Sequence, residues 1–386
     1  MKIALNVGVF NLPGHYFVVD HALRLSNSYE SQVFALMATL RDNPGLPVHL
    51  PAHKLKASIL RTSALPLLML STSRAIRDWK PDVIHQHFGT WSLPAVHAAK
   101  PRATTGSTPM LTTLHGYDAF SLVPNGPSAI QSWHAHNVRA AAKTSRLLLP
   151  VSRYLADIAI HAGLPASKLE VLYLGVDTEE FHPATSHKRQ APINSPSEII
   201  LSVGNLAENK GVRDIVAAFK ALPPAPPNSS RQLRFIGDGP LRPWLQQQAT
   251  LDARIQVLGR LPRPAVVKEM QNAHLLVMAS LPYRGRRESA GLVLLEAQAC
   301  ATPVVAYASG GTPEMLGEDH NSRQHPGGFS VPEGDQQELG RQIHNVLTMD
   351  ALSYHELCSQ ARAWVTKHRN IQNSTATLAE IYSQIS

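Results

Sequence analysis

The sequence lacks the features that define several classes of protein. Only two of its 386 residues are cysteine, Cys300 and Cys358, which excludes a disulfide scaffold and a cysteine-rich zinc module. Its longest apolar run, Leu65–Leu70, contains Pro66 and is far shorter than the ~20 residues that cross a bilayer. The N-terminal residues Met1–Leu5 enter a strand pattern at once, without the apolar core of a signal peptide. We therefore expect a soluble, cytoplasmic protein.

Acidic residues are scarce in the first half of the chain. Residues 1–190 hold 18 Lys or Arg against 11 Asp or Glu, a net charge of +7, whereas residues 191–386 hold 18 against 17. A cationic half favours an anionic partner, such as anionic lipid, nucleic acid or a phosphorylated acceptor. A solvated basic face is the alternative. The known nucleic-acid-binding motifs are absent and the charge is not interleaved with aromatic residues, so we expect no nucleic acid as partner.

Short apolar runs separated by helix-length segments occur throughout the chain. This pattern is typical of parallel strands that are covered by helices on both faces. The predicted strands are Lys2–Val9, Val33–Leu36, Val83–Gln86, Met110–Leu114, Leu147–Val151, Leu169–Tyr173, Ile199–Val203, Leu233–Ile236, Ile255–Leu258, Leu275–Met278 and Pro303–Ala306. Two series of five or six strands predict two doubly wound α/β domains.

The boundary between the two series is visible in the composition. The segment His182–Ser197 is polar, contains three prolines and is typical of a linker. We therefore predict one domain over residues 1–182 and a second over residues 198–365. The remaining residues, 366–386, are helical in pattern.

Three motifs of the first half follow predicted strands, at the sheet edge where open α/β folds bind ligands. Gly14, in the loop after the first strand, permits close approach to a phosphate, although an ordinary turn is the alternative. His115 and Asp118 can bind sugar hydroxyls, or serve as turn residues. His85 and His87 could ligate a metal, but no carboxylate or cysteine cluster completes such a site.

Glycine-rich strand ends recur in the second half. Gly204 and Asn205 end one predicted strand, and Lys210 precedes the next helix. Free amides and the dipole at a helix start favour anions, and a lysine adds a positive charge, so we expect a phosphate site here. Gly237, with Asp238 and Gly239, and the segment Gly259–Leu261 end the next two strands and would line the same edge.

The most informative motif is a pair of glutamates, Glu288 and Glu296, with a glycine between them at Gly291. A helix starting at this glycine leaves the amides of Gly291, Leu292 and Val293 free to hold a phosphate. Glu296, on the second turn, can accept hydrogen bonds from a ribose diol. Arg284, Arg286 and Arg287 make the preceding loop cationic, which suits a diphosphate.

The order of these motifs resembles the retaining GT-B glycosyltransferases of family 4, and in particular the subgroup that builds bacterial exopolysaccharides such as colanic acid. The most specific match is E-x7-E, Glu288 to Glu296. It is preceded by G-N-L-A-E-N-K-G, I-G-D-G-P and G-R-L, and followed by S-G-G-T-P-E. The first half contributes I-H-Q-H-F-G, L-H-G-Y-D and V-S-R-Y-L. The resemblance spans nearly the whole chain.

The resemblance implies a fold of two Rossmann-like domains that face a central cleft, with residues 366–386 crossing back to the first domain. It implies a nucleotide-sugar donor, UDP- or GDP-linked, in the second domain and a glycan or lipid-linked acceptor in the first. It implies a hexosyltransferase that needs no metal or other cofactor. A front-face mechanism is usually invoked for this family, in which the leaving phosphate takes the acceptor's proton.

The resemblance also implies roles for individual residues. Glu288, His115 and Lys210 would be catalytic, Lys210 on the diphosphate and the other two near the donor sugar. His87, His115 and Asp118 would bind the acceptor or sugar. The implied donor-binding residues are Gly14, Gly204, Asn205, Lys210, Gly237, Arg260, Leu261, Glu288, Gly291, Leu292, Val293 and Glu296.

The sequence departs from the family pattern at three places. Asn205 stands where the family usually has arginine, which removes one cation from the diphosphate site. The usual E-G-F-G is Glu288–Gly291, read E-S-A-G, and the A-D…P-S element reads A-H…A-S. The first departure leaves a sugar-nucleotide epimerase, or a catalytically weak nucleotide-sugar-binding relative, as the alternative function.

One segment of the first half, Lys54–Trp79, bears on both the acceptor and membrane contact, because it mixes leucine and isoleucine with lysine and arginine. Such a segment favours contact with an anionic membrane surface or a lipid-diphosphate acceptor, and hence a peripheral location at the inner membrane face. A core helix with a solvated basic face is the alternative.

Overall fold

The computed structural model describes residues 1–12, 15–51, 64–101, 106–123, 128–184, 190–317 and 323–386, and the chain forms two compact units. The first unit comprises Met1–Leu174 together with Ser374–Ser386, and the second comprises Gly175–Asn373. The chain therefore leaves the first unit before the predicted boundary at residue 182, and the predicted linker belongs to the second unit.

The first unit is built on a six-stranded sheet in which every pair of neighbours is parallel, in the order β3-β2-β1-β4-β5-β6. The strands are β1 (Lys2–Leu12), β2 (Glu30–Leu40), β3 (Val48–His49), β4 (Val83–His87), β5 (Met110–Leu114) and β6 (Leu147–Pro150). The central strands β4 and β5 are buried over their whole length, because helices cover both faces of the sheet.

Six described helices follow these strands along the chain. They are α1 (Tyr16–Arg24), α2 (Leu65–Trp79), α3 (Leu93–Ala99), α4 (Tyr117–Ser121), α5 (Ala129–Thr144) and α6 (Arg153–His161). Serine caps begin two of them, since the hydroxyl of Ser128 accepts from the amide of Gln131 and that of Ser152 accepts from the amide of Leu155.

The second unit repeats this plan with a seven-stranded sheet, ordered β12-β13-β11-β10-β7-β8-β9. Only the β12–β13 pair is antiparallel among its described pairs. The strands are β7 (Ser197–Val203), β8 (Ser230–Ile236), β9 (Ile255–Gly259), β10 (Leu275–Met278), β11 (Val304–Tyr307), β12 (Gln324–His325) and β13 (Gly328–Val331). The helices are α7 (Val212–Lys220), α8 (Arg242–Leu251), α9 (Arg263–Asn272), α10 (Leu292–Ala299), α11 (Gln336–Leu347) and α12 (Ala351–His368).

The last helix, α13 (Ile371–Ile385), returns the chain to the first unit from Ser374 onward. Its apolar residues Leu378, Ile381 and Ile385 join the same core cluster as Ile3 and Leu5 of β1. The C-terminal segment is therefore an integral part of the first unit's core.

Both sheets reverse their strand order at one point, between β1 and β4 in the first unit and between β7 and β10 in the second. Loops that leave the carboxyl ends of two such strands diverge to opposite sides and open a crevice, which is where open α/β sheets bind ligands. The fold thus directs attention to the loops after β7 and β10, and to those after β1, β4 and β5.

Most predicted strands are confirmed, but one is wrong and three were missed. The segment Leu169–Tyr173 forms a single bridge to Leu148, although the amides of Glu170 and Leu172 still donate to carbonyls of β6. It runs along the sheet edge and is paired on one side only. The missed strands are β3, β12 and β13, of two, two and four residues, too short to show a periodic pattern.

None of the described helices combines the length and the apolar character needed to cross a bilayer.

A buried polar contact holds α7 against the sheet of the second unit and supports a prediction about stability. The hydroxyl of Tyr307, at the end of β11, donates to Oδ2 of Asp214 at 2.9 Å, and both residues are buried. We expect Tyr307→Phe to lower the free energy of unfolding by about 1–3 kcal/mol, because a buried carboxylate loses a donor. Urea unfolding measures this, with Tyr283→Phe, at an exposed ring, as the control that should change little. Equal stability of the two variants would show that this contact contributes nothing.

Candidate functional site

The loop after β7 lies directly against the loop after β8, and only glycine fits at the contact. A Cβ on Gly237, whose φ is +139°, would lie 1.8 Å from the carbonyl oxygen of Gly204. The amide of Gly204 donates to the carbonyl of Ile236, and that of Leu206 donates to the carbonyl of Asp238. The predicted glycine turns at Gly204 and Gly237 are thus packed backbone to backbone at one edge of the sheet.

The same loop is fixed on its other side to the loop after β10. Gly211 has a φ of +60°, and a Cβ there would lie 1.9 Å from the carbonyl oxygen of Ala279. The amide of Leu281 donates to the carbonyl of Asn209 at 3.0 Å. These contacts lie at the point where the strand order reverses, and they place Lys210 next to the loop that carries Glu288.

Lys210 and Glu288 form the central ion pair of the second unit. The distance from Nζ of Lys210 to Oε2 of Glu288 is 2.5 Å, and the hydroxyl of Ser280 donates to the same oxygen at 2.7 Å. The two side chains are 30% and 14% exposed. Burial acts to raise the pKa of Glu288, but the charge of Lys210 and the hydrogen bonds from Lys210, Ser280 and the amide of Ser289 outweigh it, so the pKa lies below its ordinary value.

Helix α10 begins at Leu292, and the residue before it, Gly291, has a φ of +82°. No side chain among the described residues caps this helix start, so the first amides, of Leu292 and Val293, are available to an anion. The carbonyl of Glu288 accepts from the amide of Gly311, which ties the loop to the turn after β11. Glu296 lies half-buried on the second turn of α10, as the motif predicts.

The other predicted donor residues lie more openly around this centre. Nε of Arg260 is 3.6 Å from Asp238 in an exposed ion pair, and Leu261 beside it is half-buried. Arg287 pairs with Glu333 at 3.0 Å. Asn205, one of the predicted donor-binding residues, is exposed. Arg284 and Arg286 lie in the tight turn that begins at Tyr283. The structure therefore brings Gly204 against Gly237 and Lys210 against Glu288, while Arg260 and Arg287 pair with other carboxylates.

In the first unit, the predicted histidines form one buried array. His85 and His87 are two residues apart on β4, and their rings stack with centroids 4.1 Å apart. Nδ1 of His87 is 3.1 Å from Nε2 of His115, which lies at the end of β5. Burial, followed by the neighbouring histidines, lowers the pKa of His87 to about 3 and that of His115 well below its ordinary value. All three rings are therefore neutral at pH 7.

Asp118 has a different role from the predicted one. Its side chain is fully buried, and its two oxygens accept from the amides of Gly89, His115, Gly116 and Ala119 at 2.8–3.3 Å. Burial raises its pKa, against these four hydrogen bonds. Asp118 thus holds the backbone that carries His115 and does not present a carboxylate to a ligand, which corrects the expectation that it binds sugar directly.

Several contributors were not predicted from the sequence. Ser280, Asn209 and Ala279 shape the ion-pair site, and Phe17 and Phe88 pack on the ring of His115 at 4.6 and 4.5 Å. Gly14, a predicted donor-binding residue, lies outside the described residues. The two-residue spacing of His85 and His87 was the available signal for the array, because it places both rings on one face of a strand.

Among the described residues, no group of three or more His, Cys, Asp or Glu is arranged to hold a metal ion.

Two family models match the chain in succession. Residues 16–180 match Glycosyltransferase Family 4, and residues 184–364 match Glycosyl transferases group 1. Together they span both units except for the two ends of the chain and residues 181–183.

Two similar curated proteins are named as glycosyltransferases of bacterial polysaccharide biosynthesis. The chain is 26% identical over 313 residues to the amylovoran biosynthesis glycosyltransferase AmsK of Erwinia amylovora, covering 80% of this chain and 72% of that protein. It is 26% identical over 308 residues to a putative colanic acid biosynthesis glycosyltransferase, WcaL, of Salmonella typhimurium, covering 79% of this chain and 71% of that protein.

Solved structures share the fold over the full length. Anabaena HepE, in complex with UDP and glucose, has a TM-score of 0.77 and 21% identity, with all of both chains covered. WaaG, a glycosyltransferase involved in lipopolysaccharide biosynthesis, has a TM-score of 0.70 and 14% identity, covering 98% of this chain and 99% of that one. These likenesses show the two-domain GT-B architecture.

The environment of Glu288 generates a prediction about pH. We expect Lys210→Met to lower the free energy of unfolding by about 1–3 kcal/mol at pH 7, because an ionised, largely buried carboxylate loses its partner. In the wild type, the lowered pKa stabilises the fold above the ordinary carboxyl value, and this stabilisation is lost as the pH falls through the folded-state pKa. In the variant, burial is opposed only by the hydrogen bonds from Ser280 and the amide of Ser289, so the pKa of Glu288 should rise. The penalty should therefore shrink as the pH falls toward 4 and Glu288 takes up a proton.

Urea unfolding of both proteins from pH 4 to 8 measures this difference. Lys220→Met is the matched control, since Lys220 contacts the neutral Gln248 at an exposed position. A penalty for Lys210→Met that did not vary with pH, or that matched the control, would show that the ion pair does not set the ionisation of Glu288.

Proposed function

The chain is a family 4 glycosyltransferase of the GT-B fold, and from this premise we propose that it moves a hexose from a nucleotide-diphosphate donor to an acceptor hydroxyl with retention at the anomeric carbon. The second unit binds the donor, and the first binds a glycan or lipid-linked acceptor of bacterial cell-surface polysaccharide. UDP-sugars are the first donors to test, because a structural neighbour is described in complex with UDP and glucose.

The observation that carries this proposal is the fixed pair of Lys210 and Glu288 at the reversal point of the second sheet, next to the uncapped start of α10. The two features together present one ammonium group and a row of amides to an anion, and one ionised carboxylate to hydroxyl groups. A diphosphate-linked sugar requires this combination along its length.

The chemistry follows from where charge develops. When the bond between the sugar's anomeric carbon and the diphosphate breaks, negative charge grows on the leaving phosphate. Lys210 is held by Glu288 and by the loop contacts at Gly211, so it needs little reorganisation to stabilise that charge, and the amides of Leu292 and Val293 act in the same way. The leaving phosphate oxygen then accepts the acceptor's proton as the new bond forms on the same face of the sugar. No metal or other cofactor takes part in this proposal.

Glu288 serves the donor sugar because it stays ionised. Its lowered pKa keeps the carboxylate an acceptor at neutral pH, and Ser280 together with Lys210 fixes its orientation. A fixed carboxylate can accept hydrogen bonds from two sugar hydroxyls and so orient the ring. Glu296, farther along α10, is placed to accept from the ribose of the same donor.

A sugar-nucleotide epimerase is the second candidate, and the observation that favours it is Asn205. This exposed residue stands where the family usually has arginine, so the diphosphate loses one cation. An epimerase converts one nucleotide-sugar into another and needs no acceptor, whereas a transferase with little hydrolysis releases nucleotide diphosphate only when an acceptor is present.

We also propose that the first unit contacts an anionic membrane surface, which would place the enzyme peripherally on the inner face of the cytoplasmic membrane. Helix α2 exposes Leu67 by 70% and Leu70 by 41%, next to Arg74. Exposed leucines beside a basic residue fit a surface that lies against lipid. Residues 54–63 of the segment that motivated this expectation lie outside the described residues.

For transfer, we expect UDP release from a UDP-sugar to depend on an added acceptor, such as a bacterial lipid extract. Lys210→Met should lower this rate by roughly 10²–10³, the usual effect of losing one preorganised charge-stabilising group. Lys220 lies at the opposite end of α7 from Lys210, and Lys220→Met should retain the wild-type rate. A coupled assay for the released nucleoside diphosphate, run with a panel of UDP-, GDP- and ADP-sugars, measures this rate for all three proteins.

Two outcomes contradict the proposal. UDP release that does not rise when acceptor is added contradicts transfer, and conversion of the donor to an epimeric UDP-sugar favours the epimerase. Equal rates for Lys210→Met and the wild type would remove Lys210 from the site.

For membrane contact, we expect the protein to float with vesicles that contain phosphatidylglycerol and to remain in the dense fraction with phosphatidylcholine alone. Replacing Leu67 and Leu70 together by serine should reduce flotation severalfold, because exposed apolar area drives insertion. The double exchange of the exposed Leu251 and Leu352, both in the second unit, to serine is the control. Absence of flotation with both kinds of vesicle would remove the membrane proposal.

A further inference from the structure

In the pair formed by His87 and His115, two ring nitrogens have no hydrogen-bond partner among the described residues. Nδ1 of His87 and Nε2 of His115 contact each other at 3.1 Å. The remaining nitrogens, Nε2 of His87 and Nδ1 of His115, are buried and have no hydrogen-bond partner among the described residues. A buried, unpaired imidazole nitrogen is costly, so such a group calls for a functional explanation.

The ring of His87 is held from behind by a second histidine. The ring of His85 stacks on it at 4.1 Å between centroids, with 28° between the planes. His85 is itself fixed at both nitrogens, since Nδ1 is 2.6 Å from the hydroxyl of Tyr382 and Nε2 is 2.7 Å from that of Thr113. Tyr382 belongs to α13, so the C-terminal helix anchors the array within the first unit.

The contact between His87 and His115 couples the tautomers of the two rings. A hydrogen bond between two neutral imidazoles needs one N–H and one bare nitrogen. If Nδ1 of His87 carries the proton, Nε2 of His115 is bare and its Nδ1 must carry a proton. If Nε2 of His115 carries the proton instead, its Nδ1 is bare. Both rings must therefore adopt the same tautomer, so Nδ1 of His115 is a donor when Nδ1 of His87 donates and an acceptor when Nδ1 of His87 accepts.

We propose that His87 is a positioning residue, which fixes the orientation and the tautomer of His115 so that Nδ1 of His115 meets a sugar hydroxyl in a single hydrogen-bonding role. This inference rests on the proposed function, in which His115 acts on the donor sugar. It changes the predicted role of His87 itself, from ligand contact to control of its neighbour. The contacts of the Phe17 and Phe88 rings leave His115 no polar alternative to His87 on those sides.

The first test is spectroscopic and needs no substrate. Two-bond ¹H–¹⁵N spectra of the full chain, labelled at histidine and recorded at pH 7, report the tautomer of each ring. We expect His87 and His115 to show one shared tautomer in the wild type, and we expect His115 to become a tautomer mixture in His87→Leu. Different tautomers in the wild type, or an unchanged His115 in folded His87→Leu, would overturn the proposal.

The second test uses two variants that differ by one methylene. The amide group of asparagine lies near the position of Nδ1 of histidine, whereas that of glutamine lies near Nε2. His87→Asn should therefore keep the contact with His115, and His87→Gln should lose it. With UDP-glucose as the probe, we expect kcat for UDP release to fall by at least about tenfold in His87→Gln and His87→Leu. His87→Asn should retain most of the wild-type kcat, and KM for the donor should stay nearly constant in all three variants.

The exposed His136 on α5 provides the control, and His136→Leu should match the wild type. Equal losses in His87→Asn and His87→Gln would show that His87 only fills space and would overturn the positioning role. A wild type that releases no UDP from UDP-glucose would count against the proposed donor alone. The spectra, together with unfolding curves for His87→Asn and His87→Gln, would then decide on His87.

Discussion

The second unit depends on a constraint of backbone packing. Gly211 approaches Ala279 so closely that no side chain fits, and this contact holds the loop after β7 against the loop after β10 where the strand order reverses. Lys210 and Glu288 are 78 residues apart in sequence, and this approach allows them to meet. The ion pair in turn fixes the ionisation of Glu288, and the start of α10 adds amides beside it. The meeting of these two charges thus depends on one glycine contact.

The first unit uses the same strand order for a different kind of site. Its strand ends carry neutral imidazoles between aromatic rings, with Asp118 holding the backbone of the His115 loop. In the proposed function, the fixed charge of the second unit serves a diphosphate, and the neutral hydrogen-bonding groups of the first serve hydroxyls. This difference in chemistry matches the division of labour expected between a nucleotide-sugar donor and the sugar that reacts. Helix α13 contributes Tyr382 to the histidine array, so the chain terminus supports the site as well as the core.

Much of this arrangement could be predicted from the sequence, and the failures have physical causes. The buried strands, the glycine turns and the spacing of Glu288 and Glu296 are local patterns, so they were visible. The role of Asp118 was not visible in the sequence, because a carboxylate that accepts from four amides has the same sequence signature as one that faces a ligand. The pairing of Arg287 with Glu333 joins residues 46 positions apart, and the placement of Ser280 depends on the path of its loop. Such contacts are set by tertiary structure, which periodicity does not report.

The central claim is that a nucleotide diphosphate binds between Lys210 and the start of α10. A crystal structure of the protein with UDP tests this most directly. The account predicts diphosphate density within hydrogen-bonding distance of Nζ of Lys210 and of the amides of Leu292 and Val293, with the ribose near Glu296. Ordered UDP elsewhere on the protein, with the ion pair of Lys210 and Glu288 left as it is, would contradict it.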